Sequence, residues 1–146
     1  MARVEFHFNV PDRVAYVCRL IRKAVALNHR LGVLGPDRLL ASIDQSLWTF
    51  SPRDFVPHCR LPAAPALRQA SPVWLVSDVA ELLPQHLLIQ LHAQVPVHAG
   101  DFARIIEVVS EDPGERQEAR SRWRHYTQQG HELIQHNFQQ NPAREA

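Results

Sequence analysis

Five large side chains in this sequence are of types that recognise an acidic peptide: Trp48, Phe55, Arg120, Trp123 and Arg124. An arginine guanidinium can hold a carboxylate through two parallel hydrogen bonds, and a slot lined by rings accepts an aromatic or proline side chain. If the two groups meet in the fold, they form an apolar pocket rimmed by cations, which suits an acidic chain end carrying an aromatic residue. Periodicity cannot show that they meet. A solvated helix face and an aromatic corner that closes the core are the alternative interpretations.

The first two aromatics belong to segment 47–58, which concentrates three large rings and two prolines. We expect a helix to end at Trp48, residues 51–54 to form a turn, and Phe55 and Val56 to begin an extended segment. Such a turn places an indole and a phenyl ring close together at the rim of a domain.

Motifs for catalysis and for cofactor binding are missing from the sequence. Phosphate sites need glycines just after the first strand, where backbone N–H groups approach the ligand, but residues 9–12 contain a proline and no glycine. No serine has the surroundings of a nucleophile elbow, and the paired carboxylates Glu111 and Asp112 are typical of a turn and a helix cap. None of the nine histidines has a partner at the three- or four-residue spacing of a helical chelate. The sequence therefore predicts no catalytic residue, no cofactor and no metal site.

Length and composition indicate one globular domain covering residues 1–146. Hydrophobic residues make up 45% of the chain and charged residues 21%, which is enough to bury a core. The net charge of +1 gives no general attraction for nucleic acid. Apolar runs are short, the start lacks a signal-peptide core, and two cysteines fit a reducing compartment, so we expect a cytoplasmic protein without a membrane span.

The first half of the chain alternates between strand and helix patterns. Residues 3–8 alternate as a strand, a helix opened by Asp12 reaches about Arg30, and residues 31–34 form a second strand. A second helix then ends at Trp48. This order is typical of an α/β protein, and a right-handed crossover predicts that the first two strands are parallel neighbours.

The second half predicts further strands and one helix with clear boundaries. Three prolines favour a loop over residues 61–72. Strands are expected at 73–76, 87–91 and 131–138, one helical turn at 79–83, and a short helix running into a strand over 102–109. The last helix has Asp112 as its N-cap and Gly130 just after its end, and the polar tail 139–146 is expected to fray.

At these residues the sequence resembles the chi subunit family of bacterial DNA polymerase III. The resemblance extends over nearly the whole chain in length and element order. Its most specific part is Phe-Val-Pro-His at 55–58 after Leu47-Trp48, and Ala-Arg-x-Arg-Trp-x-x-Tyr at 119–126 supports it. It implies a Rossmann-like three-layer α/β sandwich with a mostly parallel sheet and no nucleotide-binding motif, in a non-catalytic accessory subunit of the polymerase holoenzyme.

The resemblance also implies two partners. Chi subunits bind the psi subunit, which attaches them to the clamp loader, and dock the acidic C-terminal tail of single-stranded DNA-binding protein, which ends in Pro-Phe with a free carboxylate. Trp48 and Phe55 match aromatic positions that line the tail pocket, and Arg120 matches the arginine that meets the tail's acidic groups. Trp123 stands where the family often has tyrosine. Segment 111–114 departs from the family pattern, and no psi-contacting position is identified.

The hypothesis from the sequence is therefore a replication adaptor that binds no DNA directly. Two alternatives from other classes stay open at this point. One is a small nucleotide-dependent enzyme on the same fold, and the other is direct binding of single-stranded nucleic acid by the arginine-bearing helix.

Overall fold

A computed structural model of the chain, which describes residues 1–49 and 55–138, shows a seven-stranded sheet in which every strand pair is parallel. The strands are β1 Arg3–Val10, β2 Leu31–Leu34, β3 His58–Arg60, β4 Val73–Val76, β5 Leu87–Gln90, β6 Arg104–Ser110 and β7 Glu132–Asn137. The helices are α1 Arg13–Ala26, α2 Asp37–Thr49, α3 Pro65–Ala70 and α4 Pro113–Gln128. The strands lie in the order β3-β4-β2-β5-β6-β1-β7.

Alternation along the strands divides the buried side chains between two cores, one on each face of the sheet. On one face, Tyr16 and Ile21 of α1 and Ile43 of α2 pack against strand residues such as Val33 and Leu75. On the other face, Tyr126 of α4 packs against Phe6, and Ala119 belongs to the same core cluster, which extends across the sheet to Trp74. The predicted three-layer α/β sandwich is confirmed, with α1 and α2 opposite α4.

The boundaries of the last helix are confirmed in detail. The Asp112 side chain accepts a hydrogen bond from the Glu115 backbone N–H at 3.0 Å, which satisfies an amide in the first helical turn. Gly130 has a φ of 83° and follows the C-cap residue Gln129, a conformation that glycine adopts without strain. The strand after it returns the chain to the sheet beside β1.

The prediction that the first two strands are neighbours is wrong. In the structure β5 and β6 lie between β1 and β2, and β1 pairs with β6 and β7 instead. Consecutive strands are neighbours only roughly two-thirds of the time. Here β5 is buried at every position and β6 at all but its ends, so these strands take the centre of the sheet.

Several local predictions are also corrected. Residues 61–72 are not all loop, because Pro65 starts the short helix α3, where its missing N–H costs nothing. Segment 102–109 contains no helix: a single 3-10 turn at Ala99–Asp101 precedes β6, whose branched apolar side chains fill both cores.

Two further boundaries differ from the prediction. The first helix ends at Ala26 rather than near Arg30. Asn28, just beyond it, has a positive φ of 65°, and a right-handed α-helix cannot continue through that backbone conformation. The three-residue strand β3 was missed because so short an edge strand carries no readable alternation. The predicted turn at 51–54 and tail at 139–146 lie outside the described residues. None of the described helices is long and apolar enough to cross a bilayer.

Candidate functional site

Four residues of α4 converge on a cavity of about 400 Å³, which we call the arginine pocket. The helix contributes Arg116, Arg120, Trp123 and Arg124, which share one side of α4 because they are spaced by three, four and eight residues. The wall opposite is formed by Phe8, Asn9, Gln135 and Asn137 of β1 and β7. Three guanidinium groups and no carboxylate line the pocket among the described residues, so its potential is positive.

The pocket combines a half-buried ring with exposed cations. The Trp123 ring is half-buried and packs on Phe6, with the ring centroids 5.2 Å apart and the planes at 57°. Arg120 and Arg124 are exposed, and Arg124 Nη2 donates to the Ser121 hydroxyl at 3.2 Å, so both guanidinium groups lie at the surface where a ligand can reach them. This arrangement offers an apolar surface next to donors that suit a carboxylate.

The far wall depends on the pairing of β1 with β7. Phe8 stacks on Phe6 with centroids 5.7 Å apart, and Asn9 has a positive φ of 58° where the pairing of β1 becomes irregular. The Asn9 amide donates to the Asn137 side-chain oxygen at 3.1 Å. This bond joins the ends of the two strands at the mouth of the pocket.

A buried ion pair beneath α4 fixes how the helix is rotated. Arg122 Nε donates to Glu107 Oε1 at 3.0 Å, and the Tyr126 hydroxyl donates to Glu107 Oε2 at 2.8 Å. Gln90 donates to the same oxygen at 3.2 Å, and Arg122 also reaches the Ala93 carbonyl at 3.0 Å. Burial raises the pKa of Glu107, and the charge of Arg122 and these hydrogen bonds offset part of that rise. With Arg122 turned inwards, Arg120 and Arg124 must point outwards.

Trp48 and Phe55 form a second surface, which we call the aromatic pair. Their ring centroids are 4.8 Å apart, and the two residues are 60% and 47% exposed. His58 packs its ring against both. Its Nε2 lies 2.7 Å from the acceptor Asp44 Oδ1, and its Nδ1 lies 2.8 Å from the Val56 carbonyl oxygen. The pair therefore has a structured base and an apolar face open to solvent, unlike a corner that closes the core.

Next to the aromatic pair is a groove of about 930 Å³, the α1 groove. Phe55 and Val56 line one part of it, and Arg19, Arg22 and Lys23 of α1 line another. The exposed Leu27 side chain also borders it. The groove and the aromatic pair together make a broad surface with an apolar centre and basic flanks.

The structure brings together Arg120, Trp123 and Arg124, and separately Trp48 and Phe55, but it does not bring the two groups together. The aromatic pair lies on the α1 and α2 face of the sheet, and the arginine pocket on the α4 face. The condition for a single pocket, that the two groups meet in space, is therefore not met, because the sheet and its cores separate them. The match of Trp48 and Phe55 to a tail-binding role remains a prediction.

Sequence reasoning missed the strand residues of the pocket and the ion pair below it. Phe8 and Asn137 meet through β1–β7 pairing, which no local pattern reports. The ion pair did leave a signal. Glu107 interrupts a run of apolar β-branched residues, and Arg122 stands on the apolar face of α4, three residues after Ala119 and four before Tyr126.

Other reactive side chains are few among the described residues. Burial raises the pKa of the Cys18 thiol to about 11 and also raises that of Cys59, so neither is an activated nucleophile. One group has the residue types of a metal site: Glu5, His7 and His136, at the end of the α1 groove.

Comparison with known proteins agrees with the sequence motifs. The family model described as "DNA polymerase III chi subunit, HolC" matches residues 1–134. A Pseudomonas aeruginosa protein named DNA polymerase III subunit chi is 32% identical over 144 residues, covering 94% of this chain and 98% of the relative. A Haemophilus influenzae protein of the same name is 32% identical over 98 residues, which is 65% of each chain.

Proposed function

The chain belongs to the DNA polymerase III chi subunit family, and from this premise we propose that it is a replication adaptor with two separate docking surfaces. One surface, the arginine pocket, docks the acidic C-terminal tail of single-stranded DNA-binding protein. The other, the aromatic pair with the α1 groove, docks the psi subunit and through it the clamp loader. The adaptor has no catalytic role of its own and works in the cytoplasm at the replisome.

The observation that carries the tail assignment is the convergence of three arginines around a ring-lined cavity. Arg116, Arg120 and Arg124 surround about 400 Å³ of space next to the half-buried Trp123 ring. A chain end with acidic side chains, a terminal phenylalanine and a free carboxylate complements both halves of this cavity.

Tail binding follows in two steps from this geometry. The exposed arginines first steer the acidic segment towards α4 through a field that salt screens. The terminal phenylalanine then packs against Trp123 and Phe8, while a guanidinium binds the terminal carboxylate. The first step sets the rate and the salt dependence of binding, and the second sets most of the affinity.

The aromatic pair is suited to a lasting protein interface. Trp48 and Phe55 are among the most exposed large apolar residues described, and tryptophan is enriched among residues that dominate binding energy. Their position on the opposite face of the sheet leaves the arginine pocket open when this surface is covered. Simultaneous binding of two partners is what an adaptor requires.

The tail assignment is tested by fluorescence anisotropy with a labelled acidic peptide that ends in Pro-Phe. A C-terminally amidated copy of the peptide removes the terminal charge. Arg120→Ala removes one pocket cation, and Arg38→Ala, an exposed arginine on α2, is the matched control with the same change in net charge. We expect roughly tenfold weaker binding for the amide and for Arg120→Ala, with Arg38→Ala unchanged.

Two outcomes would overturn the tail assignment. In one, the wild-type protein binds neither peptide; in the other, Arg120→Ala and Arg38→Ala weaken binding equally, as expected of net charge alone. Bare single-stranded DNA serves as a third probe. If it competes with the peptide at equal affinity, the arginine-bearing helix is a nucleic-acid surface instead.

A further inference from the structure

Three side chains with metal-binding atoms meet on the α1 face of β1 and β7. Glu5 and His7 are two residues apart in β1, so they project from the same face, and His136 is the register partner of His7 in β7. One oxygen or nitrogen atom from each residue lies within 4.8 Å of the others. No local spacing in the sequence indicates this cluster, because strand pairing rather than helical spacing joins its two histidines.

We infer that this His-His-Glu cluster is a Zn²⁺ site. Two imidazoles and one carboxylate are a ligand set that zinc binds, at about 2.0–2.2 Å from each atom. Tetrahedral ligands at that distance are roughly 3.4 Å from one another. His136 Nε2 and Glu5 Oε1 are already 3.6 Å apart, so small side-chain rotations complete the geometry.

Hydrogen bonds from outside the cluster orient two of its side chains. The Tyr16 hydroxyl bonds to His7 Nδ1, which leaves Nε2 as the metal-binding nitrogen. Arg104 holds the Glu5 carboxylate through both oxygens, with Nε on Oε2 and Nη2 donating to Oε1 at 3.3 Å, and Oε1 is the oxygen that lies beside His136. Partners of this kind orient ligands in known metal sites.

The charged groups near the cluster both favour and weaken metal binding. The Glu5 carboxylate is ion-paired with Arg104, and its Oε2 lies 4.0 Å from Arg3 Nε, contacts that favour its charged, metal-binding form. The same guanidinium groups repel a second cation. We therefore expect moderate affinity, weaker than that of a closed structural zinc site.

The cluster opens onto the α1 groove, which has room for water to complete the coordination shell. Its position gives the metal a structural effect. Among the described residues β7 is an edge strand paired only with β1, and a metal held by both strands would pin it. The opposite face of β7 carries Gln135 and Asn137 of the arginine pocket, so the same clamp supports that wall.

The test is a titration of untagged, metal-free protein with Zn²⁺ in competition with a chromophoric chelator of known affinity. Co²⁺ is the second probe, because its visible absorption reports the coordination geometry. We expect one equivalent to bind, the melting temperature to rise with Zn²⁺, and His136→Gln to weaken binding at least about tenfold and abolish that rise. His29→Gln, an exposed histidine of the same groove, is the matched control and leaves affinity unchanged.

The inference is wrong if wild-type affinity is weaker than about 0.1 mM, or if His136→Gln binds as tightly as wild type. Equal losses in His136→Gln and His29→Gln would also overturn it. If circular dichroism shows that His136→Gln does not fold, Tyr16→Phe decides, because it keeps the buried ring and removes only the hydroxyl that orients His7. Weaker Zn²⁺ binding by Tyr16→Phe supports the site, and unchanged binding excludes it.

Discussion

The arginine pocket and the aromatic pair differ in what holds their side chains in place. The pocket is built on α4, whose rotation is set by the buried Glu107–Arg122 ion pair and the Tyr126 hydroxyl. The aromatic pair rests on His58, which is anchored by Asp44 and by the Val56 carbonyl. One surface offers exposed charge on a helix held by buried polar contacts. The other offers two exposed rings, Trp48 near the end of α2 and Phe55 just before β3.

This difference implies different binding physics at the two surfaces. Exposed guanidinium groups attract a partner over distance and lose strength in salt, whereas exposed rings contribute only on contact and are nearly indifferent to salt. A chain that must capture a mobile acidic tail while remaining attached to another subunit benefits from having one surface of each kind.

Removing Arg122 should destabilise the fold far more than removing Arg120. Arg122→Ala leaves the Glu107 carboxylate buried without its main counter-charge, which typically costs about 3–5 kcal/mol of unfolding free energy. Arg120→Ala changes an exposed position and should cost less than about 0.5 kcal/mol. Urea unfolding of both variants makes the measurement. Similar stabilities would mean that the ion pair does not lock α4.

Trp48→Ala should weaken psi binding by about 2–3 kcal/mol and leave tail-peptide affinity unchanged. The reason is that Trp48 is 60% exposed on the face opposite the arginine pocket. Leu67→Ala on α3, which is 50% exposed and outside both surfaces, is the matched control. Calorimetric titration with psi and anisotropy with the peptide measure the two affinities. A loss of tail affinity in Trp48→Ala would return this residue to the tail pocket that the sequence motif suggested.

The salt dependence of binding should differ between the two surfaces. Between about 0.05 M and 0.5 M salt we expect tail-peptide affinity to fall steeply, because the Debye length shrinks below the spacing of the arginines from the acidic groups. Psi affinity should fall less steeply over the same range, because exposed rings lie at the centre of its surface and the basic residues of the α1 groove only flank them. Parallel titrations of both partners test this contrast, and equal salt slopes would remove the electrostatic distinction between the surfaces.

How far the sequence predicts this molecule depends on whether the signal is local. Three features of α4 follow from spacing along the helix and are confirmed. They are the N-cap at Asp112, the positive φ of Gly130 after the helix, and the shared face of Arg120 and Arg124. Strand order and the facing walls of the pocket depend on which strands pair across more than a hundred residues, and the sequence pattern does not encode that choice. The separation of Trp48 from Arg120 also depends on this long-range arrangement of strands, so the sequence pattern does not predict it.

The smallest effect concerns pH and the carboxylate of Glu5. Because Arg104 and Arg3 keep the pKa of Glu5 below its usual value in the folded state, the unfolded chain binds more protons between the two values. The stability from Glu5 is therefore complete above the ordinary carboxyl pKa of about 4.3 and is lost as the pH falls through the lower folded value. Glu5→Gln should therefore reduce the loss of unfolding free energy at acid pH, measured by urea unfolding at a series of pH values. The same loss of unfolding free energy at acid pH in the variant would mean that Glu5 does not cause it.

The most direct test of two separate surfaces is a tail-peptide titration of the protein already saturated with psi. Anisotropy of a labelled peptide ending in Pro-Phe reports tail affinity with and without psi under the same buffer and salt. The account predicts equal affinity in the two titrations, because the arginine pocket and the aromatic pair lie on opposite faces of the sheet. Loss of peptide binding when psi is present would show that the partners compete for one surface, which would contradict the account.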